Sequence, residues 1–163
     1  MKTAIVNGRL MDPGLEIDGQ FDIMFENGTI SEVSAPGALD TAGAEVHDAQ
    51  GRWVLPGFTD LRVHVREPGQ EYKEDIESAS KAAVAGGFTA IVATASGPIT
   101  MDTPEMIEHV IRKGRALGIC RVEAATSITQ GLEGRALTEV ATAKRAGAKI
   151  ISEGAHCVAS AQL

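Results

Sequence analysis

Cysteine is scarce in this chain of 163 residues: there are two, Cys120 and Cys157, at no spacing that a metal site or a disulfide framework uses. They are expected to be reduced thiols in a cytoplasmic protein. Basic charge is also short. Lys+Arg number 15 against Asp+Glu 22, a formal net charge of −7. That excess argues against a nucleic acid or an anionic membrane as partner and leaves a basic protein surface open as one. No apolar run reaches the ~18 residues of a membrane span. The opening MKTAIVNGRLMDPG lacks the apolar segment of a secretion signal, so none is expected. No internal repeat makes one half of the chain complementary to the other. What is present, 44% hydrophobic and 23% charged residues, is the composition of a folded globular chain rather than a disordered tail.

Two regimes follow one another. Residues 1–55 read as a small β-domain. Residues 4–6 begin a strand, and 21–25 alternate apolar and polar with a period of two. Asn27-Gly28 then marks a two-residue hairpin turn, whose central positions both need positive φ. Ile30 and Val33 carry the return strand, 36–43 form a loop, and 46–54 hold a strand or hairpin around Gln50-Gly51. From Pro56 the pattern becomes strand then helix, repeated: strands at 58–65, 88–95, 120–125 and 149–152, helices at 73–85, 104–117 and 136–146. Thr103-Pro104-Glu105 reads as a helix start, with a hydroxyl N-cap and proline in the first turn. This order predicts parallel strands joined by right-handed crossovers, closing as a doubly wound sheet or as a barrel. No GxGxxG follows the first of these strands, which weakens the nucleotide-binding version. A full (β/α)8 barrel needs ~250 residues. The fold class expected for 56–163 is therefore α/β, a partial (β/α)8 TIM-type barrel of about the first four strands.

Polar residues gather at the end of the first barrel strand, in PGFTDLRVHVREPG from Pro56 to Gly69. Barrel enzymes place their chemistry at that end. Asp60, Arg62 and His64 alternate and are expected on one side of the strand. The stretch PGFTDLRVHVREPGQEYKEDIESASKAAVAGGFT resembles the first barrel strand and helix of dihydroorotases in the amidohydrolase superfamily, and the Gly131-Leu132-Glu133-Gly134 segment is similar too. The likeness runs over essentially the whole chain. It implies a zinc-dependent cyclic amidohydrolase that interconverts dihydroorotate and N-carbamoyl-aspartate in pyrimidine synthesis. It also implies that Asp60 and His64 occupy positions of a D-x-H-x-H metal motif, and that Arg66 is a clamp for the substrate carboxylate, a role that suits a bidentate guanidinium.

The chain departs from that pattern at three places. Arg62 stands where the first histidine is expected, and a permanently charged guanidinium does not ligate a metal. Residues 93–98, ATASGP, carry no asparagine to hold substrate. Ser152-Glu153-Gly154-Ala155 replaces an S-D-D-G segment, leaving Glu153 as a weak candidate for the acidic position. His64 then reads as a zinc ligand or as a strand-end residue satisfied by a neighbouring carbonyl. Asp60 reads as a catalytic or metal-shell carboxylate or as a local ion-pair partner of Arg62 or His64. Arg66 reads as an anion clamp or as a partner of Glu67, Glu71 or Asp75. His156 and Cys157 are two adjacent donors without further partners, and His109 is expected to be solvated on its helix. The combined losses imply a non-catalytic dihydroorotase-like protein, without productively bound zinc, that serves as a structural partner of aspartate transcarbamoylase. The alternative is an active zinc-dependent dihydroorotase, or a fragment of one. Self-association is also expected, because Leu61, Val63, Ile91, Ala93, Val122, Ala124 and Ile151 are expected on an interior face lacking its second half.

Overall fold

The computed structural model describes every residue except Ala159 and divides into two compact units, Met1–Pro56 and Gly57–Leu163. In the first, β1 (Lys2–Asp12) pairs antiparallel with β2 (Ile17–Glu26), which pairs with β3 (Thr29–Ser34). These strands are longer than the apolar alternation alone marks out. Asn27 and Gly28 make the β2–β3 turn with φ of 50° and 82°, as their residue types require. Gln50-Gly51 also has positive φ, yet it does not close a hairpin. Instead β4 (Glu45–Asp48) and β5 (Trp53–Val54) both lie parallel to β1, end to end along it. The reason is visible in the hydrogen bonds. The Ala49 and Gly51 amides donate to the Val6 and Asn7 carbonyls, so the turn is tied to β1 and not folded on itself. The core is small: Ala4, Met24 and Leu39 are buried, with Val6 and Ala44 packed on them. Asp22, 2% exposed, is the polar exception, and it accepts from the Asn7 amide (2.9 Å) and the Gly37 amide (2.7 Å).

The second unit is a mixed α/β arrangement around a separate parallel sheet, ordered β6-β7-β8-β9. Its strands are β6 (Phe58–Val63), β7 (Phe88–Ala93), β8 (Arg121–Thr126) and β9 (Ile150–Ile151). The helices are α1 (Ile76–Ala85), α2 (Pro104–Leu117) and α3 (Val140–Arg145). The first helix begins three residues later than its composition suggests. Asp75 caps it, accepting from the Ser78 amide at 2.7 Å while Ser78 Oγ accepts from the Asp75 amide. That capping lowers the Asp75 pKa, chiefly through the Ser78 backbone bond. The third helix is shorter still. The Gln130 amide donates to the Ala136 carbonyl and the Thr138 amide to the Ile128 carbonyl, so residues 136–138 are held extended before the helix can start. Thr103 does occupy the N-cap of α2, but its hydroxyl makes no capping bond. No helix among the described residues is long and apolar enough to cross a membrane.

The core of this unit gathers Ile76, Ile91, Ala93, Ile107, Val110 and Val122 between sheet and helices. This corrects the expected faces. Ile91, Ala93, Val122 and Ala124 are all at most 4% exposed, whereas Leu61 and Ile151 are 64% and 49% exposed. Helix α2 sits very close to β8. A Cβ built on Gly114 falls 2.3 Å from Val122 Cβ, so glycine is required there for approach rather than for φ.

Candidate functional site

Strand β6 and the segment that follows it carry Asp60, Arg62, His64 and Arg66, and the strand's alternation is broken. Asp60 pairs with Ile91 and Val63 with Ala93, so β6 has one residue more than β7 between the two pairs. Such a bulge inverts which side the following residues take. Asp60 and Val63 accordingly line the same cleft, against Ala79 and Ala82 of α1. His64 and Arg66 line a different one, about 270 Å³, with Gln70, Ser96, Gly97 and Pro98. The single face expected for Asp60, Arg62 and His64 is thus not formed. The Asp60 carboxylate is also committed locally, since Oδ1 accepts from the Arg62 amide at 2.9 Å across the bulge. Arg62 itself is exposed and forms no ion pair among the described residues.

His64 meets a hydroxyl where a carbonyl was one expectation: Nδ1 lies 3.2 Å from Thr94 Oγ1. Thr94 donates its proton to the Ser96 carbonyl at 3.1 Å, so the imidazole is the donor in the shared bond and its Nε2 is left available. Arg66 pairs with none of Glu67, Glu71 or Asp75 and is exposed. Its neighbour Glu67 turns inward instead. The Glu67 side chain is 5% exposed, and its Oε1 is bonded by Lys113 Nζ of α2, with His109 Nε2 4.0 Å away. Its other oxygen accepts from the Ile76 amide, at the first turn of α1, at 3.0 Å. His109, expected to be solvated, is therefore a partly covered neighbour of a buried carboxylate. The group was recognisable in one respect only: His109 and Lys113 are four apart and share a helix face.

Hydrogen bonding to Glu67, more than the nearby charges of Asp75 and Glu71, holds the Lys113 pKa above its ordinary 10.5. The folded value exceeds the unfolded one, so the stability from this pair is whole below the unfolded pKa and is lost as pH rises through the higher folded value. The denaturant midpoint is expected to stay level up to about pH 10 and to fall beyond it. A Lys113→Met protein should show a shallower alkaline fall.

Glu153 lies just beyond β9, 6% exposed, and both of its carboxylate oxygens accept hydrogen bonds. Oε2 accepts from the Ile128 amide (2.9 Å) and the Thr129 amide (3.0 Å), and Oε1 from the Thr129 hydroxyl. Thr129 Oγ1 in turn accepts from Gly134 N–H at 2.9 Å, and Asp102 accepts from Gly131 N–H at 2.8 Å. The Gly131–Gly134 segment is thereby pinned by two carboxylates. Replacing Glu153 with alanine orphans three donors, two of them buried, which is expected to cost about 1–3 kcal/mol of stability in a urea titration. A loss under about 0.5 kcal/mol would show that water replaces the carboxylate freely. His156 hydrogen-bonds through its amide to the Glu153 carbonyl, and Cys157 is an exposed free thiol.

These side chains do not fit a zinc centre. Asp60 and His64 are parted by the bulge, Arg62 offers donors only, and Glu153 already accepts three hydrogen bonds from the 128–129 segment. No group of three or more His, Cys, Asp or Glu among the described residues is arranged to hold a metal ion. What remains at the strand ends is a small cleft rich in donors, with the Arg66 guanidinium paired with no acid among the described residues.

The sequence profile described as Dihydro-orotase-like matches residues 51–163. The chain belongs to that family. It is 45% identical over 144 residues to a dihydroorotase of Sulfurihydrogenibium sp., covering 88% of this chain and 34% of the relative. Against a dihydroorotase of Pelobacter propionicus it is 42% identical, covering 100% of this chain and 38% of the relative. The chain thus spans little more than a third of the length of the curated relatives it matches. Among solved structures, the L-hydantoinase (dihydropyrimidinase) of Arthrobacter aurescens superposes with a TM-score of 0.74 at 21% identity, over 91% of this chain and 32% of that one. At that identity the likeness is one of fold.

Proposed function

We propose that this dihydroorotase-like chain acts in cytoplasmic pyrimidine biosynthesis as a structural partner of aspartate transcarbamoylase, and that its own residues do not carry out zinc-dependent hydrolysis. Residues 57–163 would then be the first half of a (β/α)8 barrel, with strands β6–β9 in barrel order. One observation carries the reading. Three acids at or beyond the strand ends hold backbone: Asp60 holds the bulge, Glu153 the 128–129 segment, and Glu67 the start of α1. The scaffold uses the carboxylates that metal chemistry would need. The Arg66 clamp is retained, so a small carboxylate would still be received.

Co-expression with aspartate transcarbamoylase tests this. Assembly and transcarbamoylase activity should depend on the chain. Equal assembly and activity in its absence would sink the partnership. The second reading, a portion of a working cyclic amidohydrolase, is favoured by the share of the relatives' length that the chain spans. An assay of N-carbamoyl-aspartate cyclisation with metal analysis separates the two. The expected outcome is no turnover and no stoichiometric zinc, and Arg62→His alone should restore neither, because Asp60 and Glu153 stay committed. About one zinc per chain with measurable turnover would decide for the second reading.

A further inference from the structure

We propose that Glu67 is the positioning residue for Arg66: its buried carboxylate, shared between α1 and α2, fixes the tight turn from which the guanidinium enters the cleft. The turn is short. The Glu67 amide donates to the Val65 carbonyl two residues back, at 2.7 Å, and Arg66 between them has φ of 55°. A residue with a side chain adopts that left-handed conformation only where its surroundings impose it. The hydrogen bond within the turn is not enough by itself, since turns of this kind are rare and strained. Two further bonds hold it: the Gln70 amide donates to the Arg66 carbonyl at 2.9 Å, and the Ile76 amide donates to Glu67 Oε2 at 3.0 Å. Lys113 then fastens the other carboxylate oxygen to α2.

The choice of a charged pair here is informative. An ion pair with one partner buried is a poor source of stability compared with apolar packing of the same volume, and its better-attested use is to select one arrangement among several. The arrangement selected places Arg66 beside His64, Gln70 and Ser96, exposed and unpaired with any acid among the described residues. The polar partners of the Glu67 carboxylate are the Ile76 amide, Lys113 and His109, none of which lines the cleft. Its influence on a ligand therefore passes through the backbone of Arg66. This inference rests on reading Arg66 as a carboxylate clamp, and it adds the residue that aims it.

The test is calorimetric titration of the intact protein with N-carbamoyl-L-aspartate as the probe. Arg66→Met should abolish binding. Glu67→Gln and Lys113→Met should each weaken it roughly tenfold or more, the scale expected when a clamp is misplaced by a fraction of its contact distance. Lys113→Arg keeps the pair and should retain the affinity. Ile150→Ala on β9, at the edge of the sheet opposite β6, serves as the control, a truncation of packed apolar volume that lowers the melting temperature and should leave affinity unchanged. Unaltered affinity in Glu67→Gln, with a lowered melting temperature, would overturn the positioning role and reduce the pair to a structural one. If Glu67→Gln does not fold, the affinity of Lys113→Met decides the question in the same way. Failure of the wild-type protein to bind would instead sink the reading of Arg66 as a clamp, and this inference with it.

Discussion

Gly114→Ala is expected to destabilise the Gly57–Leu163 unit by at least about 2 kcal/mol, although alanine is the better helix former. Removing a helix-interior glycine normally gains up to about 1 kcal/mol. Here the new methyl would lie 2.3 Å from Val122 Cβ and 2.6 Å from its Cγ2. A side-chain rotation cannot clear the first contact, because a Cβ moves only with its backbone. Helix α2 must lift from β8, which opens the contact between Ile107, Val110 and the sheet. Overpacked cores typically lose about 1–3 kcal/mol, and a contact between two backbone-fixed atoms belongs at the upper end. Arg115→Ala, next in sequence and exposed, should change the guanidinium midpoint little, by about 0.5 kcal/mol or less. An unchanged or raised midpoint for Gly114→Ala would show that α2 and β8 lie farther apart than this geometry has them.

Residues 1–163 expressed alone should self-associate and bind a hydrophobic dye. The grounds differ from those read in the sequence. The apolar strand residues Ile91, Ala93, Val122 and Ala124 are already covered, so they contribute nothing. The exposed features are the two sheet edges, β6 and β9, each paired on one side only. Beside them stand Leu61, Phe58 and Ile151, 64%, 51% and 49% exposed. Unpaired edges with apolar neighbours recruit other chains. Covering each such side chain is worth roughly 1.5–3 kcal/mol, and typical net domain stability is only about 5–15 kcal/mol. Light scattering should report species larger than a monomer at micromolar concentration. A sharp monomer with a cooperative melt and no dye binding would mean that the charge of −7 and the short β9 are sufficient protection.

The order of strands and helices was legible because each element carries its own period, and because Asn27-Gly28 and Pro104 punctuate them. The boundaries were less so. Asp75 and Ser78 delay α1, and bonds from 128–130 to 136–138 delay α3, and both depend on which partner a local group finds in three dimensions. The candidate site was half legible. Arg62, His64, Arg66 and Glu153 could be singled out by type and position. That Asp60 faces another cleft could not, because one extra residue in β6 inverts the alternation and no residue type announces it. The Glu67–Lys113 bond joins residues 46 apart in sequence, and a spacing rule has no hold on such a contact.

Strands β4 and β5 both lie parallel on β1, with Thr3 beside Glu45 and Leu10 beside Val54. A ribosome delivers β1, β2 and β3 early, and they can fold back on one another as a meander as soon as each emerges. The far side of β1 must wait. Its partners appear only after the 36–43 loop has been made, and closing that long segment costs entropy before any parallel hydrogen bond repays it. For the interval, β1 is an edge strand by timing rather than by design. On that order the nascent Met1–Pro56 unit is most open to wrong pairing after β3 and before Glu45 emerges.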